Sequence, residues 1–427
     1  MALGRRRWIV IAAGIAANAC CGAGYAFSVI KAPLMKVLSC TDAQVAMAYT
    51  LSVAFLPVGM LLSGAIASRR GPGFAIGLGG LVFGAGMFAA GFSSSLVMLY
   101  ATYGVMVSLG QGLSYGPVIA TAVKWFPDRK GLASGLVVSA LGVGTLVVAP
   151  LYQSIMGSEP VRVLAALKVL GVAFVIVIGT ASRFITDPPE RMMLRGEKPL
   201  GASAAQDEML GGKKRSQASE ASKPGGGEEV GWRAMLARPY FWTLFALYVL
   251  GTLSGHMVLT QAAGLAQTVT GLTAGAASVV VGIMGVANAG GRLLWGGISD
   301  RIGRLNALAG MFVVTGLAML FLSRLAESGF GLMVGLLAVG LCYGGNLGTF
   351  PSLCADAFGS ASLAVNYALL FAAFSVAALA GPRVGALLLE RTHDYSPGFT
   401  VAAGTAGLGV VLSVCVRLRR APSVLGQ

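Results

Sequence analysis

The sequence predicts an all-α membrane protein with twelve transmembrane helices, arranged as two pseudo-repeats of six helices each. Hydrophobic residues make up 56% of the 427-residue chain and charged residues only 11%, well below the charged share of soluble domains. Twelve apolar stretches have about 20 residues or more, the length that a helix needs to cross a bilayer. The 62 glycines fit this class, because small residues let membrane helices approach closely.

The twelve predicted spans are separated by polar segments. Hydropathy places the spans of the first half at about 8–30, 43–67, 73–92, 96–120, 131–156 and 161–183. The spans of the second half are expected at about 239–265, 274–298, 305–325, 331–352, 362–389 and 397–416.

A polar segment, residues 184–238, separates the two halves. It contains a basic triplet, Lys213–Arg215, and three consecutive glycines, Gly225–Gly227, and it has no apolar stripe with a helical period. This composition is typical of a flexible linker. We therefore expect an N-terminal six-helix bundle at 1–183, a cytoplasmic linker at 184–238 and a C-terminal six-helix bundle at 239–427.

Lysine and arginine residues concentrate at both termini, in the linker and in alternate connecting segments. The positive-inside rule places these segments on the cytoplasmic side. We therefore expect a multi-pass protein of the cell inner (plasma) membrane with both termini in the cytoplasm. The net charge of +15 is explained by this topology, so no nucleic-acid partner is expected.

The two halves repeat each other at a fixed spacing. Gly64 begins a motif at the end of the second predicted helix as Gly296 does at the end of the eighth, and Pro150 lies in the fifth as Pro382 lies in the eleventh. Both pairs have the same separation, since 296 − 64 and 382 − 150 both give 232. Two parallel six-helix repeats are typical of alternating-access carriers, in which the substrate site lies between the halves near the middle of the membrane.

Short motifs at the ends of these helices resemble those of a known family. The motif Gly-x-x-x-Asp-Arg-x-Gly-Arg at 296–304 resembles the cytoplasmic signature of the major facilitator superfamily. Its first-half copy departs from the pattern, with Ser68 where Asp is usual. The resemblance implies the fold of that superfamily and a conformational gating loop formed by Asp300, Arg301, Arg304, Arg69 and Arg70.

A second stretch is similar to a branch of that superfamily. The segment 124–136, with the sequence KWFPDRKGLASGL, is similar to the junction of the fourth and fifth helices in the oxalate/formate antiporter family and in monocarboxylate transporters. Tyr25-Ala26-Phe27 in the first helix, Tyr343-Gly344-Gly345 in the tenth and Asn366-Tyr367 in the eleventh fit the same branch. The resemblance implies transport of a small organic acid.

Arg292 is the leading candidate for substrate binding. It lies in the eighth predicted span, eight residues before Asp300 and hence roughly 12 Å inside that end of the helix. A charge at this depth is costly, and a guanidinium binds a carboxylate through two parallel hydrogen bonds. Asn288 lies one turn earlier on the same face. In the resembling families an arginine of the eighth helix binds the substrate carboxylate; the alternative is a structural residue bonded to helix carbonyls.

The remaining substrate-binding candidates are aromatic or apolar. Tyr25, Tyr115 and Tyr343 lie within predicted spans, where a hydroxyl can donate to an anion or simply pack between helices. Leu141 is a candidate wall residue by its position in the resembling family. The oxalate-specific pattern has a lysine in the eleventh helix, where this sequence has none, and Phe374 is expected to face a methyl or short alkyl group. A single buried cation therefore predicts a substrate with one carboxylate.

The sixteen Asp and Glu residues all fall outside the predicted spans. A proton-coupled carrier usually keeps a carboxylate in the membrane, so any proton would move with a weak-acid substrate or on another group. His256, in the seventh span, and Lys31, near the outer end of the first, are the proton-coupling candidates. Packing of the histidine and snorkelling of the lysine are the alternatives.

These observations predict a secondary active transporter of small monocarboxylates, of the lactate or pyruvate type, coupled to protons. The alternative is an organic-anion exchanger of the oxalate/formate kind. A membrane receptor would need a folded cytoplasmic domain, and a multidrug exporter usually keeps carboxylates in the membrane. Phosphate-binding and catalytic motifs are missing, so we expect no enzyme, no cofactor and no metal. The expected partners are a small organic anion, protons and the lipid bilayer, and the expected state is a monomer.

Overall fold

In the computed structural model of the chain, all regular secondary structure within the described residues is helical. These residues are 2–157, 159–189, 229–270, 274–325 and 329–420. Eleven helical stretches among them are long and apolar enough to cross a membrane. A further helix of 29 residues, Ala274–Ile302, carries Arg292. The all-α prediction is therefore confirmed.

The first half contains six long helical segments, α1 to α6. In α1, the helices Ala2–Cys21 and Phe27–Leu38 flank a short 3-10 turn, Gly22–Gly24. In α4, which spans Leu96–Trp125, the residues Tyr100–Val107 are π-helical. The other four are α2 at Asp42–Arg70, α3 at Pro72–Ala90, α5 at Lys130–Met156 and α6 at Arg162–Ser182.

The second half has the same plan. Its six helices are α7 at Pro239–Thr270, α8 at Ala274–Ile302, α9 at Arg304–Leu325, α10 at Gly329–Phe358, α11 at Leu363–Thr392 and α12 at Ser396–Arg420. Successive helices run in opposite directions, so both termini lie at one end of the bundle. That end also holds the basic residues between α2 and α3, α4 and α5, and α8 and α9, and we call it the basic end.

Of the predicted linker, only the first and last residues belong to the described part of the chain. Most of the predicted segment, including Lys213–Arg215 and Gly225–Gly227, lies within 190–228, outside the described residues. Its last part differs from the prediction, because Trp232–Ala237 forms a short helix with Met235 buried. An apolar side chain that packs against the bundle accounts for this helix, which precedes α7 directly.

The predicted gating loop proves to be almost entirely helical. Asp300 and Arg301 belong to the last turn of α8, which ends at Ile302, and Arg304 already begins α9. The chain reverses direction at Gly303, whose φ is +89°. Gly71 does the same between α2 and α3 at a φ of +84°. A positive φ favours glycine, because any other L-residue places its Cβ too close to the backbone.

The outer surface of the bundle is apolar, and the interior is packed through small residues. Leu81, Phe321 and Leu408 are each more than half exposed on this surface, as expected for side chains that face lipid. Inside, a Cβ on Gly84 of α3 would overlap the carbonyl oxygen of Gly171 on α6. Glycine at this crossing lets the two helices pack backbone against backbone.

Candidate functional site

The first helix is interrupted where it reaches the middle of the bundle. Its first segment ends at Cys21 and its second begins at Phe27, so Tyr25 lies at the break. The carbonyl of Gly22 accepts two hydrogen bonds at 3.0 Å, one from the backbone N–H of Tyr25 and one from Thr145 Oγ1 of α5. A Cβ on Gly22 would overlap the carbonyl oxygen of Leu141. Interrupted helices mark the substrate site in several transporter folds, because irregular backbone is tolerated there only inside the protein.

Arg292 of α8 is buried, with 1% of its surface exposed, and it connects the two halves of the molecule. Its Nε donates to Asn288 Oδ1 at 3.0 Å, one turn earlier on the same helix. Its Nη1 donates to the carbonyl oxygen of Val138 on α5. Its Nη2 donates to the Tyr25 hydroxyl at 3.4 Å, and the guanidinium carbon lies 5.8 Å from the centre of the Tyr25 ring.

The hydrogen bonds of Arg292 leave two of the N–H donors of its guanidinium group without an acceptor. A guanidinium has five N–H donors, one on Nε and two on each terminal nitrogen. The described bonds use three of these donors: the one on Nε, one on Nη1 and one on Nη2. One donor therefore remains on Nη1 and one on Nη2. Two such donors are the number that a carboxylate accepts in a bidentate pair.

The charge of Arg292 is not balanced by a protein carboxylate in the described part of the chain. The ion pairs found there do not include this residue. Arg292 is also the one Lys or Arg among the described residues that is buried. Because an isolated buried charge is costly, an anionic ligand at this position would be strongly favoured.

An aromatic cluster from the second half lies next to this region. The Tyr343 hydroxyl of α10 is 3.3 Å from His256 Nε2 of α7, and either group can act as donor. Phe374 of α11 meets the His256 ring edge-to-face, with ring centres 4.9 Å apart, and stacks on Phe371 at 4.8 Å. Phe371 in turn contacts Tyr115 of α4 at 5.8 Å, so the cluster reaches across to the first half.

The structure brings together the seven predicted substrate-binding residues. Tyr25 bonds Arg292 directly, whereas Tyr115 and Tyr343 join the group through the aromatic cluster. Leu141 is buried one turn beyond Val138 on α5. Asn288 and Phe374 complete the group through the contacts described above.

The two proton-coupling candidates lie in different places. His256 belongs to the aromatic cluster, where 9% of its surface is exposed. Lys31 lies in the part of α1 toward the opposite end of the bundle, about two turns before the helix ends at Leu38 rather than just beyond the predicted end near residue 30. Its Nζ is 2.6 Å from Asp42 Oδ1, at the start of α2. This exposed ion pair separates Lys31 from the region around Arg292.

Two of the predicted gating residues form ion pairs or hydrogen bonds, and the other three are exposed. Asp300 accepts hydrogen bonds from the backbone N–H groups of Gly131 and Leu132, both at 2.8 Å, at the start of α5. Arg304 pairs with Asp300 at 2.6 Å and with Asp356 at 2.9 Å. By contrast, Arg301, Arg69 and Arg70 are exposed, and none of them forms an ion pair with a described carboxylate.

Sequence reasoning missed several residues of these contacts. Lys130 of α5 pairs with Asp356 of α10 at 2.8 Å, and 226 residues separate the two in sequence. No sequence signal pointed to this pair or to the carbonyl of Val138. Phe371 is recognisable from sequence, since it lies three residues before Phe374 and hence on the same helical face.

Comparison with known proteins identifies the family. Residues 12–370 match the family described as the Major Facilitator Superfamily. The chain belongs to the Major Facilitator Superfamily. It is therefore a multi-span membrane transporter and not an enzyme. The predicted fold of two six-helix pseudo-repeats is confirmed by this match and by solved structures of the superfamily.

Relatives in sequence fall in the branch that the motifs indicated. The chain is 27% identical to an oxalate:formate antiporter of Oxalobacter formigenes, over 97% of this chain and 92% of the relative. It is 26% identical to apicoplast pyruvate carrier 1 of Toxoplasma gondii, over 85% of this chain and 71% of the relative. It is 28% identical to monocarboxylate transporter 12 of Mus musculus, over 85% of this chain and 74% of the relative.

Solved structures show the same fold at low sequence identity. The chain superposes on a superfamily transporter, FucP, in its outward conformation with a TM-score of 0.69 and 12% identity, covering 96% of this chain and 98% of that one. It superposes on the proton:xylose symporter XylE with a TM-score of 0.69 and 13% identity, covering 96% of this chain and 95% of that one. These similarities support the fold alone.

Proposed function

We propose that this superfamily member transports small monocarboxylates, of the lactate or pyruvate type, and couples their movement to protons by alternating access. The observation that carries the proposal is the position of Arg292. It is a buried guanidinium with two N–H donors left for a ligand and no described carboxylate partner. A small organic anion supplies both the missing charge and the missing acceptors.

The surroundings of Arg292 favour one carboxylate over two. A dicarboxylate would bring a second charge into a low-dielectric site, where an unpaired ion is costly. Within the described residues, Arg292 is the single buried Lys or Arg, and α11 contributes Phe371 and Phe374 to the neighbouring aromatic cluster. These rings suit a methyl or short alkyl group. In this proposal Tyr115, Tyr343 and Leu141 complete the pocket.

Proton coupling would need a group other than a mid-membrane carboxylate of the described residues. The described Asp and Glu residues lie at helix ends or between helices, and none lies in the middle of a span. His256 is the candidate that is close to the proposed substrate pocket, through Tyr343 and Phe374. Histidine changes its charge near neutral pH in water, and a weak acid can also carry the proton itself.

The contacts between the halves favour an alternating-access cycle. The basic end is closed by the Asp300 bonds to α5, by the Lys130–Asp356 pair and by the bond from Ser134 Oγ to the Gly348 carbonyl at 2.6 Å. The positive-inside rule assigns this end to the cytoplasm of a plasma membrane, with both termini inside. Opening of the outer end would then bring substrate to Arg292, which is 1% exposed here, and binding would let the two halves change their relative orientation.

An organic-anion exchanger of the oxalate/formate kind is the second candidate. Two observations favour it: the 27% identity to an oxalate:formate antiporter over nearly the whole chain, and the lack of a mid-membrane carboxylate in the described residues. An exchanger needs no proton site, because a second anion resets the carrier.

The test is uptake of labelled L-lactate into proteoliposomes under three conditions: no gradient, an inward proton gradient, and preloading with formate. The proposal predicts that the proton gradient accelerates uptake and that excess pyruvate competes while oxalate does not. Uptake that responds to preloaded formate and ignores the proton gradient would replace symport by exchange. Competition by oxalate at equal concentration would contradict the one-carboxylate pocket.

A further inference from the structure

A cavity lies at the basic end of the first half, far from Arg292. Its volume is about 740 Å³, and it is bounded by the turn between α2 and α3 and by the end of α6. Its polar mouth includes Arg70, Arg183 and Ser182. Its floor is formed by apolar residues of α3, among them Phe74 and Leu81. It therefore combines cationic and apolar side chains in one groove, where the guanidinium carbon of Arg70 lies 4.8 Å from the centre of the Phe74 ring.

The mouth of this cavity has unbalanced positive charge. Neither Arg70 nor Arg183 forms an ion pair with a carboxylate in the described ranges. The one acidic residue of the lining, Asp187, already binds Lys124 Nζ at 3.0 Å. A third cation is close by, because Arg6 Nη2 donates to the Thr186 hydroxyl at 3.3 Å. An anionic group would neutralise this cluster.

The apolar floor opens to the surface that faces lipid. Phe74 is 46% exposed and Leu81 is 53% exposed, which is typical of side chains on the lipid-facing side of a bundle. A second apolar groove, of about 460 Å³, lies between α1 and α6 and is lined by Ile9, Ile176 and Phe184. Arg183 lines the cavity and its chain neighbour Phe184 lines this groove, so the two apolar grooves meet close to this cation.

We propose that this site binds one anionic glycerophospholipid, with its headgroup phosphate at Arg70 and Arg183 and its two acyl chains in the two grooves. Basic pockets between membrane helices on the cytoplasmic side are suited to acidic headgroups. A free inorganic anion would leave the apolar grooves without an occupant, and the transported substrate is assigned to Arg292 in the bundle interior. The charge and the paired grooves therefore favour a lipid.

The test is lipid retention, measured by native mass spectrometry on the full chain extracted from vesicles of equal parts phosphatidylglycerol and phosphatidylcholine. Wild type should retain phosphatidylglycerol in preference. The Arg70→Gln/Arg183→Gln variant should retain it roughly 25-fold less strongly, from the contribution expected for two basic residues at a membrane surface. The Arg129→Gln/Arg233→Gln control, with the same charge change at the same end, should behave as wild type. Equal loss in both variants, or equal retention of the two lipids by wild type, would overturn the proposal.

A second measurement does not depend on removing the arginines. A Leu81→Trp reporter places an indole in the apolar floor, and its fluorescence is obtained by difference from wild type. Phosphatidylglycerol with brominated acyl chains should quench this signal several-fold more than phosphatidylcholine with the same chains. Equal quenching by the two lipids would show an unselective lipid surface and contradict a headgroup site.

Discussion

The guanidinium of Arg292, on α8, donates a hydrogen bond to the carbonyl oxygen of Val138, on α5. This bond joins the second half of the transporter to the first at the depth of the proposed substrate pocket. A ligand that takes the remaining donors of Arg292 would therefore contact the seam between the two halves. The predictions below test this arrangement and the contacts that surround it.

Removing the Tyr25 hydroxyl should weaken substrate binding moderately. In Tyr25→Phe the ring stays beside the guanidinium, but Arg292 Nη2 loses its acceptor at 3.4 Å. A hydrogen bond of this kind contributes about 1 kcal/mol, so KM for the transported acid should rise about 3–10-fold with a smaller change in maximal rate. Initial rates of uptake in proteoliposomes measure this. The matched control is Tyr100→Phe, which removes a hydroxyl that donates to the Gln44 carbonyl at the far end of the bundle.

Charge reversal at the basic end should open the contact between the halves. Lys130→Asp replaces the pair with Asp356 by two like charges, so the closed state should lose roughly 0.5–1 kcal/mol. The added change Asp356→Lys should recover part of the loss, because Arg304 also uses Asp356. The readout is the distance between spin labels at the exposed positions Arg129 and Arg301, in a background without the six free cysteines.

In that experiment the single variant should show a longer distance population, and the double variant should shift back toward the wild-type distribution. An unchanged distribution in Lys130→Asp would mean that the pair does not contribute to closure. The bonds from Gly131 N–H and Leu132 N–H to Asp300, together with the bond from Ser134 Oγ to the Gly348 carbonyl, would then hold the basic end.

A methyl group at Gly344 of α10 should disturb the proposed pocket by displacing α8, which carries Arg292. A Cβ there would overlap the carbonyl oxygen of Asn288, whose side chain accepts from Arg292. In Gly344→Ala, α8 must shift away from α10, and KM should rise about tenfold because Arg292 moves with its helix. In the control Gly179→Ala, on α6, no atom lies within 4 Å of the new Cβ. That variant should transport as wild type, and equal KM values for the two variants would contradict the prediction.

His256→Gln separates two routes for the proton. The glutamine amide can still bond the Tyr343 hydroxyl, but it cannot take up a proton at physiological pH. If His256 carries the proton, uptake should no longer respond to a proton gradient, whereas exchange of labelled for unlabelled substrate should continue. Gradient-driven uptake at the wild-type rate would assign the proton to the substrate. Lys31→Gln should leave the gradient response intact, since Lys31 is paired with Asp42 away from the pocket.

The sequence was sufficient for the fold because bilayer crossing leaves a strong and local signal. Hydropathy located the twelve spans, and the common offset of 232 residues identified the repeat, which also relates Gly71 to Gly303. The loop prediction at 296–304 differs from the structure because a helix can end within one residue when glycine takes a positive φ. Charged residues at such ends look like a loop in sequence.

The site was predictable in part. A lone arginine deep in a span is recognisable from sequence, since few charges are tolerated there. The groups that Arg292 contacts, and the ion pair at the basic end, are harder to predict from sequence. The carbonyl of Val138 has no side-chain signature, and the pair of Lys130 with Asp356 depends on the packing of α5 against α10. Contacts between the two halves are set by tertiary structure, which local patterns do not encode.

The most direct test of the account is labelled L-lactate uptake by Arg292→Lys in proteoliposomes with an inward proton gradient, beside wild type and an Arg129→Lys control at the exposed basic end. Lysine keeps the charge but loses the planar fork and its paired donors. We predict that uptake efficiency falls about 10–100-fold in Arg292→Lys and is unchanged in the control. Wild-type uptake by Arg292→Lys would contradict the assignment of the substrate carboxylate to Arg292.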